Sequence, residues 1–385
     1  MTGWRVPLSD VLVDEELVAA ATDVLRSGWW SMGPRVEELE AAFAESCGTR
    51  HAIAVSSGTA ALHLAFLALD CGPGDEVILP SLNFVAAANV IVHAGATPVF
   101  CDIGGRHPLG LDPESVAALV GPRTKAVLAL HYGGLPCDVG ALLQLADRHG
   151  LAIVEDAAHA PGATWCGRAC GTIGAVGCFS FFANKNLPVG EGGMVVTDDD
   201  ELARRLRLLR SHGMTTLTWD RHRGHAGSYD VLEPGLNYRL DELRAVLALD
   251  ALRRLPDGNR SRAGIVARYR EAFGARLPLA DAEDGDVRSA HHLAVLMLDD
   301  AEARDRLRDT LARRRIQTSV HYPPIHMFSA YGARVSLPVT EDVASRIVSL
   351  PLFPHMTDED VAVVVEAVLD ELDVSSSHGA RITAR

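Results

Sequence analysis

The sequence predicts an α/β protein with two parts: a large domain built on a mainly parallel β-sheet and a smaller C-terminal α/β domain. Its 385 residues are 48% hydrophobic and 22% charged, an ordinary globular composition. At roughly 150 residues per domain, this length favours two or three domains. In the first two-thirds of the chain, short apolar runs alternate with stretches of helical periodicity. This alternation is typical of βαβ units, whose strands pair in parallel.

The elements of the large domain follow one another closely. In parallel sheets, ligands bind at the carboxyl ends of the strands, so a site is expected there. The last two strands have no helix between them, which predicts a hairpin-like pair near that site. The predicted elements are, in order, strand 51–55, helix 59–69, strand 76–80, helix 85–95, strand 97–102, strand 125–130, helix 138–149, strand 151–156, strands 177–182 and 192–198, and helix 200–213.

The remaining third predicts the connection and the small domain. Two helices, 240–255 and 260–276, are expected to connect the domains. We expect the large domain to span 1–250, the small domain 251–372, and a polar, disordered tail 373–385. The small domain is predicted to contain strand 291–298, helix 301–314, strand 317–320 and helix 357–372.

Charge and hydropathy exclude several classes of protein. The formal net charge of −14 gives no overall attraction to phosphate backbones or anionic lipid, so we expect no nucleic-acid partner. Residues 77–101 carry no charged side chain, but prolines and polar residues break this run, which predicts buried core instead of a membrane helix. The N-terminal sequence lacks the apolar segment of a secretory signal. We therefore expect a cytoplasmic protein whose seven cysteines are free thiols.

Lysine usage singles out one residue. Of 36 basic residues, only Lys125 and Lys185 are lysine, and neither lies in a Walker A loop. No GxGxxG, HExxH or GxSxG motif is present either, and no metal site is predicted. Lys125 stands at the polar start of a strand, as a solvated residue would. Lys185 follows a strand in an apolar, glycine-flanked segment, where a lysine with a lowered pKa can form a Schiff base and arginine cannot.

Two strand ends carry further candidates. Ser57, Gly58 and Thr59 enter a helix directly after strand 51–55, and the free N–H groups of such a helix start suit a phosphate. A simple serine N-cap is the alternative. Asp156 ends strand 151–156, where a carboxylate holds a protonated ring nitrogen or caps a helix.

Together these segments resemble the sugar aminotransferases of the DegT/DnrJ/EryC1/StrS family over about residues 5–370. The resemblance implies a pyridoxal-phosphate (PLP) dependent transferase of fold type I, related to aspartate aminotransferase. Some relatives are dehydratases with histidine in place of the Schiff-base lysine, so Lys185 favours transamination. The matching segments are SSGTAALHLA, GDEVILPSLNFVAAAN, VEDAAHAPGA, CFSFFANKNLPVGEGGMVVT, SHGM, GLNYRLDELRAVLAL and HYPPIH.

The resemblance implies a role for each residue around the cofactor ring. Lys185 would form the internal aldimine and later move the proton between cofactor and substrate carbon. Asp156 would pair with the pyridinium nitrogen and keep the ring an electron sink. His159 would hydrogen-bond the ring oxygen O3′, and Phe84 would stack on the ring. A loop histidine and a core phenylalanine are the alternatives for these last two.

The resemblance also implies a shared site. Gly58, Thr59 and Ser180 would hold the cofactor phosphate, and Asn237 from the neighbouring subunit would complete this cup. A functional homodimer is therefore expected.

Four residues are expected at the substrate. His321, Tyr322 and His326 lie in a segment that reaches the active site in relatives. Arg239 is either a substrate or interface group or part of a surface salt bridge. The loop 214–228 offers positive charge for a diphosphate or is simply solvated; its candidates are Trp219, Arg221, Arg223 and His225.

The expected reaction moves an amino group from glutamate or glutamine to a keto group of a nucleotide-linked deoxysugar. A keto-cyclitol aminotransferase, or an aromatizing relative acting on a cyclic amino-ketone, uses the same lysine and phosphate cup. A regulatory protein on this fold is the non-enzymatic alternative, and the intact set of Lys185, Asp156 and Ser180 argues against it. Phe182, Asn83 and the pair 188–189 depart from the residues common in the family, which bears on substrate identity.

Overall fold

The computed structural model describes residues 3–104, 109–216, 219, 224, 228–277, 285–332 and 335–382, and for 373–382 it describes the backbone alone. Within these residues, the largest sheet has seven strands in the order β1-β9-β8-β5-β4-β2-β3. Its strands are β1 (His51–Val55), β2 (Glu76–Pro80), β3 (Thr97–Cys101), β4 (Thr124–Leu130), β5 (Ala152–Asp156), β8 (Val176–Ser180) and β9 (Gly193–Thr197).

The sheet is mainly parallel, as predicted. Strands β3, β2, β4, β5 and β8 pair in parallel, so their carboxyl ends lie along one edge. Strand β9 runs against both of its neighbours. The antiparallel β8–β9 pair confirms the predicted hairpin, and its long connection, residues 181–192, lies at the same edge as Asp156.

Eleven helices are described, most of them packed on the sheet. Helix α3 is apolar all round because it is buried from its first turn, against β8, β9 and α4. The helices are α1 (Glu15–Ser27), α2 (Pro34–Cys47), α3 (Gly58–Ala68), α4 (Ala86–His93), α5 (Pro113–Leu119), α6 (Val139–His149), α7 (Asp200–Arg210), α8 (Glu242–Phe273), α9 (Ala301–Arg313), α10 (Pro338–Arg346) and α11 (Asp358–Ile382).

The small unit has its own core. The antiparallel strands β11 (Ala294–Met297) and β12 (Ile347–Leu350) form a two-stranded sheet. Its core, which also draws on α8, α9 and α11, includes Tyr269, Leu296 and Val364. Elsewhere, β6 (Thr164–Trp165), β7 (Arg168–Ala169) and β10 (Val287–Arg288) form a small separate sheet. None of the helices in the described part of the chain is long and apolar enough to cross a membrane.

The connector differs from the prediction. Residues 242–273 form one helix, with Pro256 inside it, where two helices were expected. The predicted boundary at 250/251 therefore falls within α8. A proline costs a helix interior about 3 kcal/mol, but both halves of α8 are held by packing: Ala245 contributes to the core beside α2, and Tyr269 to the core of the small unit.

Two further predictions differ from the structure, one at residues 317–320 and one at the C-terminal segment. Residues 317–320 form no strand; Ser319 makes a single bridge to Ser349. The last helix continues through Ile382, into the segment expected to be a disordered tail. The sequence reasoning also missed α1, α2, α5, α10 and β12.

Candidate active site

A cavity of about 360 Å³ opens at the carboxyl ends of β2, β4, β5 and β8. Nine of the twelve residues that the sequence marked as site residues line it, although they come from widely separated segments. Those nine are Gly58, Thr59, Phe84, Asp156, His159, Ser180, Lys185, His321 and Tyr322.

One corner of the cavity is built by the start of α3. Ser57 caps this helix: its Oγ accepts the N–H of Ala60 at 3.0 Å, and its carbonyl accepts the N–H of Ala61 at 3.0 Å. The first N–H groups of a helix have no partner within the helix, so those of Gly58 and Thr59 face outward. A Cβ on residue 58 would lie 2.7 Å from the Cβ of Ser180. Glycine thus brings the helix start directly beside the Ser180 side chain.

The cavity floor carries Asp156 at the end of β5. Its Oδ1 accepts the N–H of Ala158 at 3.2 Å. Burial raises the pKa of Asp156, opposed by that N–H, by the positive charge of Lys185 and by the Asn83 amide. The carboxylate therefore keeps acceptor capacity for a bound group.

Lys185 lies in the β8–β9 connection, across from this carboxylate. Its backbone N–H donates to the carbonyl of Phe182 at 2.9 Å, which makes a tight turn. Burial lowers the pKa of Lys185 to about 8, against the pull of Asp156. A lysine with such a pKa is neutral in about a tenth of molecules at pH 7, far more than an ordinary lysine, and a neutral amine is the nucleophile.

The side chains of His159, His321 and Tyr322 form one wall of the cavity. The Nδ1 of His159 accepts the N–H of Gly133 at 3.2 Å, and its Nε2 lies 3.0 Å from the Tyr322 hydroxyl. Burial and the charge of Lys185 lower the pKa of His159 well below its usual value. They also lower that of His321 to about 4. His321 Nδ1 lies 2.7 Å from Ser349 Oγ. Both histidines are therefore neutral near pH 7.

An exposed aromatic ring stands at the cavity mouth. Phe84 is 55% exposed, and its ring centroid lies 5.7 Å from that of Tyr322. The preceding Asn83 is buried, and its Oδ1 accepts the N–H of Phe84 at 2.6 Å. The Asn83 Nδ2 group has no hydrogen bond within 3.5 Å among the described residues, although it lies close enough to Asp156 to lower the pKa of that acid.

The other three site candidates lie outside the cavity lining. The ring nitrogens of His326 contact Ser81 Oγ at 2.7 Å and Glu341 Oε1 at 3.3 Å, so within this chain the side chain ties segments together. Arg239 bridges the end of β1, and its buried Nη1 has no partner in the described structure. Asn237 is exposed.

The predicted basic loop is described only in part. Trp219 packs against Trp29, with ring centroids 4.7 Å apart. Arg221, Arg223 and His225 lie outside the described residues.

Comparison with known proteins is decisive for the family. The model of the DegT/DnrJ/EryC1/StrS aminotransferase family matches residues 12–369. The chain belongs to this family. It is 42% identical over 377 residues to the spore coat polysaccharide biosynthesis protein SpsC of Bacillus subtilis (strain 168), covering 95% of this chain and 96% of SpsC.

Solved structures agree with this assignment. The aminotransferase TlmJ from Streptoalloteichus hindustanus superposes with a TM-score of 0.90 at 38% identity, covering 96% of this chain and all of TlmJ. Spr1654 from Streptococcus pneumoniae in its PLP form gives a TM-score of 0.88 at 29% identity, covering 95% of this chain and 98% of Spr1654. This chain is a PLP-dependent aminotransferase with the expected fold.

The cavity residues fit this cofactor. A phosphate fits the N–H groups at residues 58 and 59 beside the Ser180 hydroxyl, because no Cβ fills that corner. A protonated ring nitrogen fits the free acceptor capacity of Asp156, and an aldehyde fits the amine of Lys185.

Several groups near the site received no role in the sequence reasoning. The exposed Glu191 lines the cavity, and the buried residues Asn186, His292 and the pair His131–Glu155 lie around it. None belongs to a short motif of its own. Glu155 and Asn186 do stand directly beside two residues that were singled out, which is the signal that was available.

Proposed function

We propose that this enzyme transfers an amino group from glutamate or glutamine to a keto carbon of a nucleotide-linked deoxysugar, in the cytoplasm, during secondary-metabolite or glycan-precursor biosynthesis. The observation that carries the reaction type is the amine of Lys185, with its lowered pKa, facing Asp156 in a cavity that has a phosphate corner. The name of the relative SpsC, which refers to polysaccharide biosynthesis, supports a sugar acceptor.

Lys185 and Asp156 are the proposed catalytic residues. Bound PLP supplies an electron sink that stabilises negative charge on the substrate carbon. The Lys185 amine would hold PLP through its aldehyde and would carry a proton to and from the substrate carbon. The buried carboxylate of Asp156 would hold the ring nitrogen and keep it protonated.

The remaining walls orient the ring. We assign the N–H groups of Gly58 and Thr59, with the Ser180 hydroxyl, to the phosphate. Phe84 would cover one face of the ring. His159 would serve the ring oxygen O3′ through the Tyr322 hydroxyl, which lies 3.0 Å from its Nε2.

The second subunit of a homodimer is proposed to complete the site. Asn237 is exposed and does not line the cavity of its own chain. The surface of that segment is apolar: Val231 is 51% and Leu232 is 57% exposed. Such residues suit burial against a second copy of the chain, with Asn237 reaching the phosphate of the partner.

The acceptor is proposed to bind beside His321 and Tyr322, which line the cavity. His326 and Arg239 are proposed to contact the substrate from outside this lining. The unpartnered guanidinium nitrogen of Arg239 favours an anionic group there, such as a phosphate of the nucleotide.

A panel of acceptors tests this function. The purified enzyme, converted to the amine form of its cofactor, is offered nucleotide-linked keto-sugars and keto-cyclitols, and the return of the aldehyde-form absorbance is measured. We expect nucleotide keto-sugars to restore the aldehyde form. Restoration by keto-cyclitols alone would assign the alternative acceptor, which no feature of the cavity favours.

Lys185→Arg is the control for the chemistry. Guanidinium does not condense with the aldehyde, so this variant is expected to lose the cofactor–lysine absorbance and all turnover. Lys125→Arg, at an exposed position, is expected to retain both. Full activity of Lys185→Arg would refute the proposed mechanism.

A further inference from the structure

The residue after Lys185 is anchored by three hydrogen bonds. Asn186 is 8% exposed. Its Nδ2 donates to the Ala290 carbonyl at 2.7 Å and to Asn259 Oδ1 at 2.9 Å. Asn259 in turn donates from Nδ2 to the Pro161 carbonyl at 2.9 Å, which fixes its own amide orientation. The Oδ1 atom of Asn186 is consequently an acceptor.

That acceptor contacts a buried histidine. The Nδ1 atom of His292 lies 3.0 Å from Asn186 Oδ1, so Nδ1 carries the proton and donates. Burial lowers the pKa of His292 well below its usual value. The positive charges of Lys185 and Arg262 act in the same direction, as would those of His159 and His321 if these rings were protonated. His292 is therefore the neutral Nδ1–H tautomer.

The ring of His292 lies against that of His159. Their centroids are 4.4 Å apart and the planes differ by 37°. Since His159 Nδ1 accepts the N–H of Gly133, its proton is on Nε2 and is donated to the Tyr322 hydroxyl. The Tyr322 hydroxyl proton is then free to be donated to a group in the cavity.

We propose that Asn186 and His292 are positioning residues of the active site, because their hydrogen bond holds the His292 ring as a fixed support behind the His159–Tyr322 pair. This inference rests on the proposed function. The hydrogen bonds of Asn186 link the β8–β9 connection to the segment before β11 and to the middle of α8, behind one wall of the cavity.

The backbone around His292 is already secured without these side chains. The N–H groups of Ala290 and His292 donate to the carbonyls of Gly134 and Gly133, each at 2.9 Å. The Asn186–His292 bond is therefore not needed to hold the chain path. What it adds is the orientation of the ring against His159.

Two substitutions of His292 test the proposal. His292→Phe keeps a ring against His159 but removes the donor to Asn186, and His292→Gln restores an amide donor. For His292→Phe we expect kcat to fall about tenfold or more, since misplaced catalytic groups lose effective molarity, with a smaller change in KM. We also expect a shift in the absorbance maximum of bound PLP, or in its pH dependence, measured without substrate. His292→Gln, which has a donor but no ring to place against His159, is expected to recover only part of both losses.

A double variant shows whether the effect passes through Tyr322. If it does, His292→Phe combined with Tyr322→Phe loses little more than Tyr322→Phe alone, because coupled residues are not additive. Tyr269→Phe is the matched control. Tyr269 lies on the same helix as Asn259 but outside the cavity lining, and the substitution removes its buried 3.0 Å hydrogen bond to the Pro351 carbonyl. It is expected to leave kcat and the spectrum unchanged.

The outcomes separate this inference from the proposed function. A folded His292→Phe enzyme with wild-type kcat and spectrum, or full additivity with Tyr322→Phe, overturns the positioning role alone. Failure of the wild type to bind PLP or to aminate any acceptor overturns the proposed function. Should His292→Phe not fold, Asn259→Leu is the substitute: it removes the two outer bonds, from Asn186 Nδ2 and to the Pro161 carbonyl, and leaves the Asn186–His292 bond in place. It is expected to give a smaller loss in the same direction, and an unchanged spectrum and kcat there would count against the proposal.

Discussion

Glu155 and Asp156 are neighbours at the end of β5, yet the structure treats them in opposite ways. Glu155 is fully buried and accepts four hydrogen bonds: from His131 Nε2 at 2.8 Å, and from the N–H groups of Gly171, Ile173 and Gly174 at 2.6–2.7 Å. Asp156, on the opposite face of the strand, accepts one from Ala158. Burial raises the pKa of both, but the donors around Glu155 outweigh it and leave that pKa below its usual value.

The difference separates a structural carboxylate from one kept for a ligand. Successive side chains of a strand point to opposite faces, so adjacent acids receive different surroundings. A buried carboxylate with four donors is already satisfied. One with a single donor, set in a cavity opposite a lysine, has its remaining acceptor sites open to whatever binds there.

Between these two acids, the larger expected effect on activity is that of Asp156→Asn. The amide cannot hold a proton on the ring nitrogen by charge, so kcat is expected to fall by about two orders of magnitude or more, since one pKa unit is about 1.36 kcal/mol. The melting temperature should be unchanged or raised, because a buried charge is removed. Wild-type turnover in this variant would make Asp156 another structural acid and erase the comparison with Glu155.

A mixed dimer sharpens the comparison by asking what completes the open side of the cavity. If Asn237 serves the partner's site, a dimer of one Lys185→Ala chain and one Asn237→Ala chain has one site with both lesions and one intact site. We expect each homodimer to be inactive or weakened and the mixture to regain up to about half of wild-type activity per heterodimer, by two-fold symmetry.

The opposite outcome is equally clear for the mixed dimer. If Asn237 serves its own chain, each site of the heterodimer holds one lesion and no activity returns. Absence of recovery, with the heterodimer confirmed by differential tags, would leave Asn237 as a structural residue before α8.

Compared with Asp156→Asn, Glu155→Gln is expected to lower activity less and to lower stability more. Breaking a buried pair costs about 3–5 kcal/mol, so the free energy of unfolding should drop while PLP still binds in the folded fraction. Because the folded-state pKa of Glu155 is lowered, its contribution is present above the unfolded value near 4.5 and is lost as pH falls through the folded pKa. Denaturant titrations of wild type and variant should therefore converge in acid, and a gap that stays constant would refute the charge-based account.

Local pattern was enough to predict the strands of the seven-stranded sheet and to single out several residues that line the cavity. The parallel strands that end at Pro80, Leu130 and Asp156 were predicted within one or two residues, because apolar runs between helices have few other interpretations. Lys185 and Gly58 could also be singled out from sequence. A Schiff base requires a lysine, and the helix start that suits a phosphate contains this glycine.

The remaining site features depend on proximity in space. His131 meets Glu155 across neighbouring strands, and Asn186 meets His292 over 106 residues of sequence, so no local window contains both partners. The continuous α8 was missed because Pro256 predicts a break. Packing of its two halves into two different cores overrides that local preference.

Helix α8 also connects the two units of the molecule. At 1.5 Å per residue, its 32 residues span about 48 Å. Its first half packs in the core of the large unit, and its last part packs in the core of the small unit. Asn259, near its middle, is tied to the residue beside Lys185. A rotation of this helix would therefore act on the lysine loop through the Asn186–Asn259 hydrogen bond.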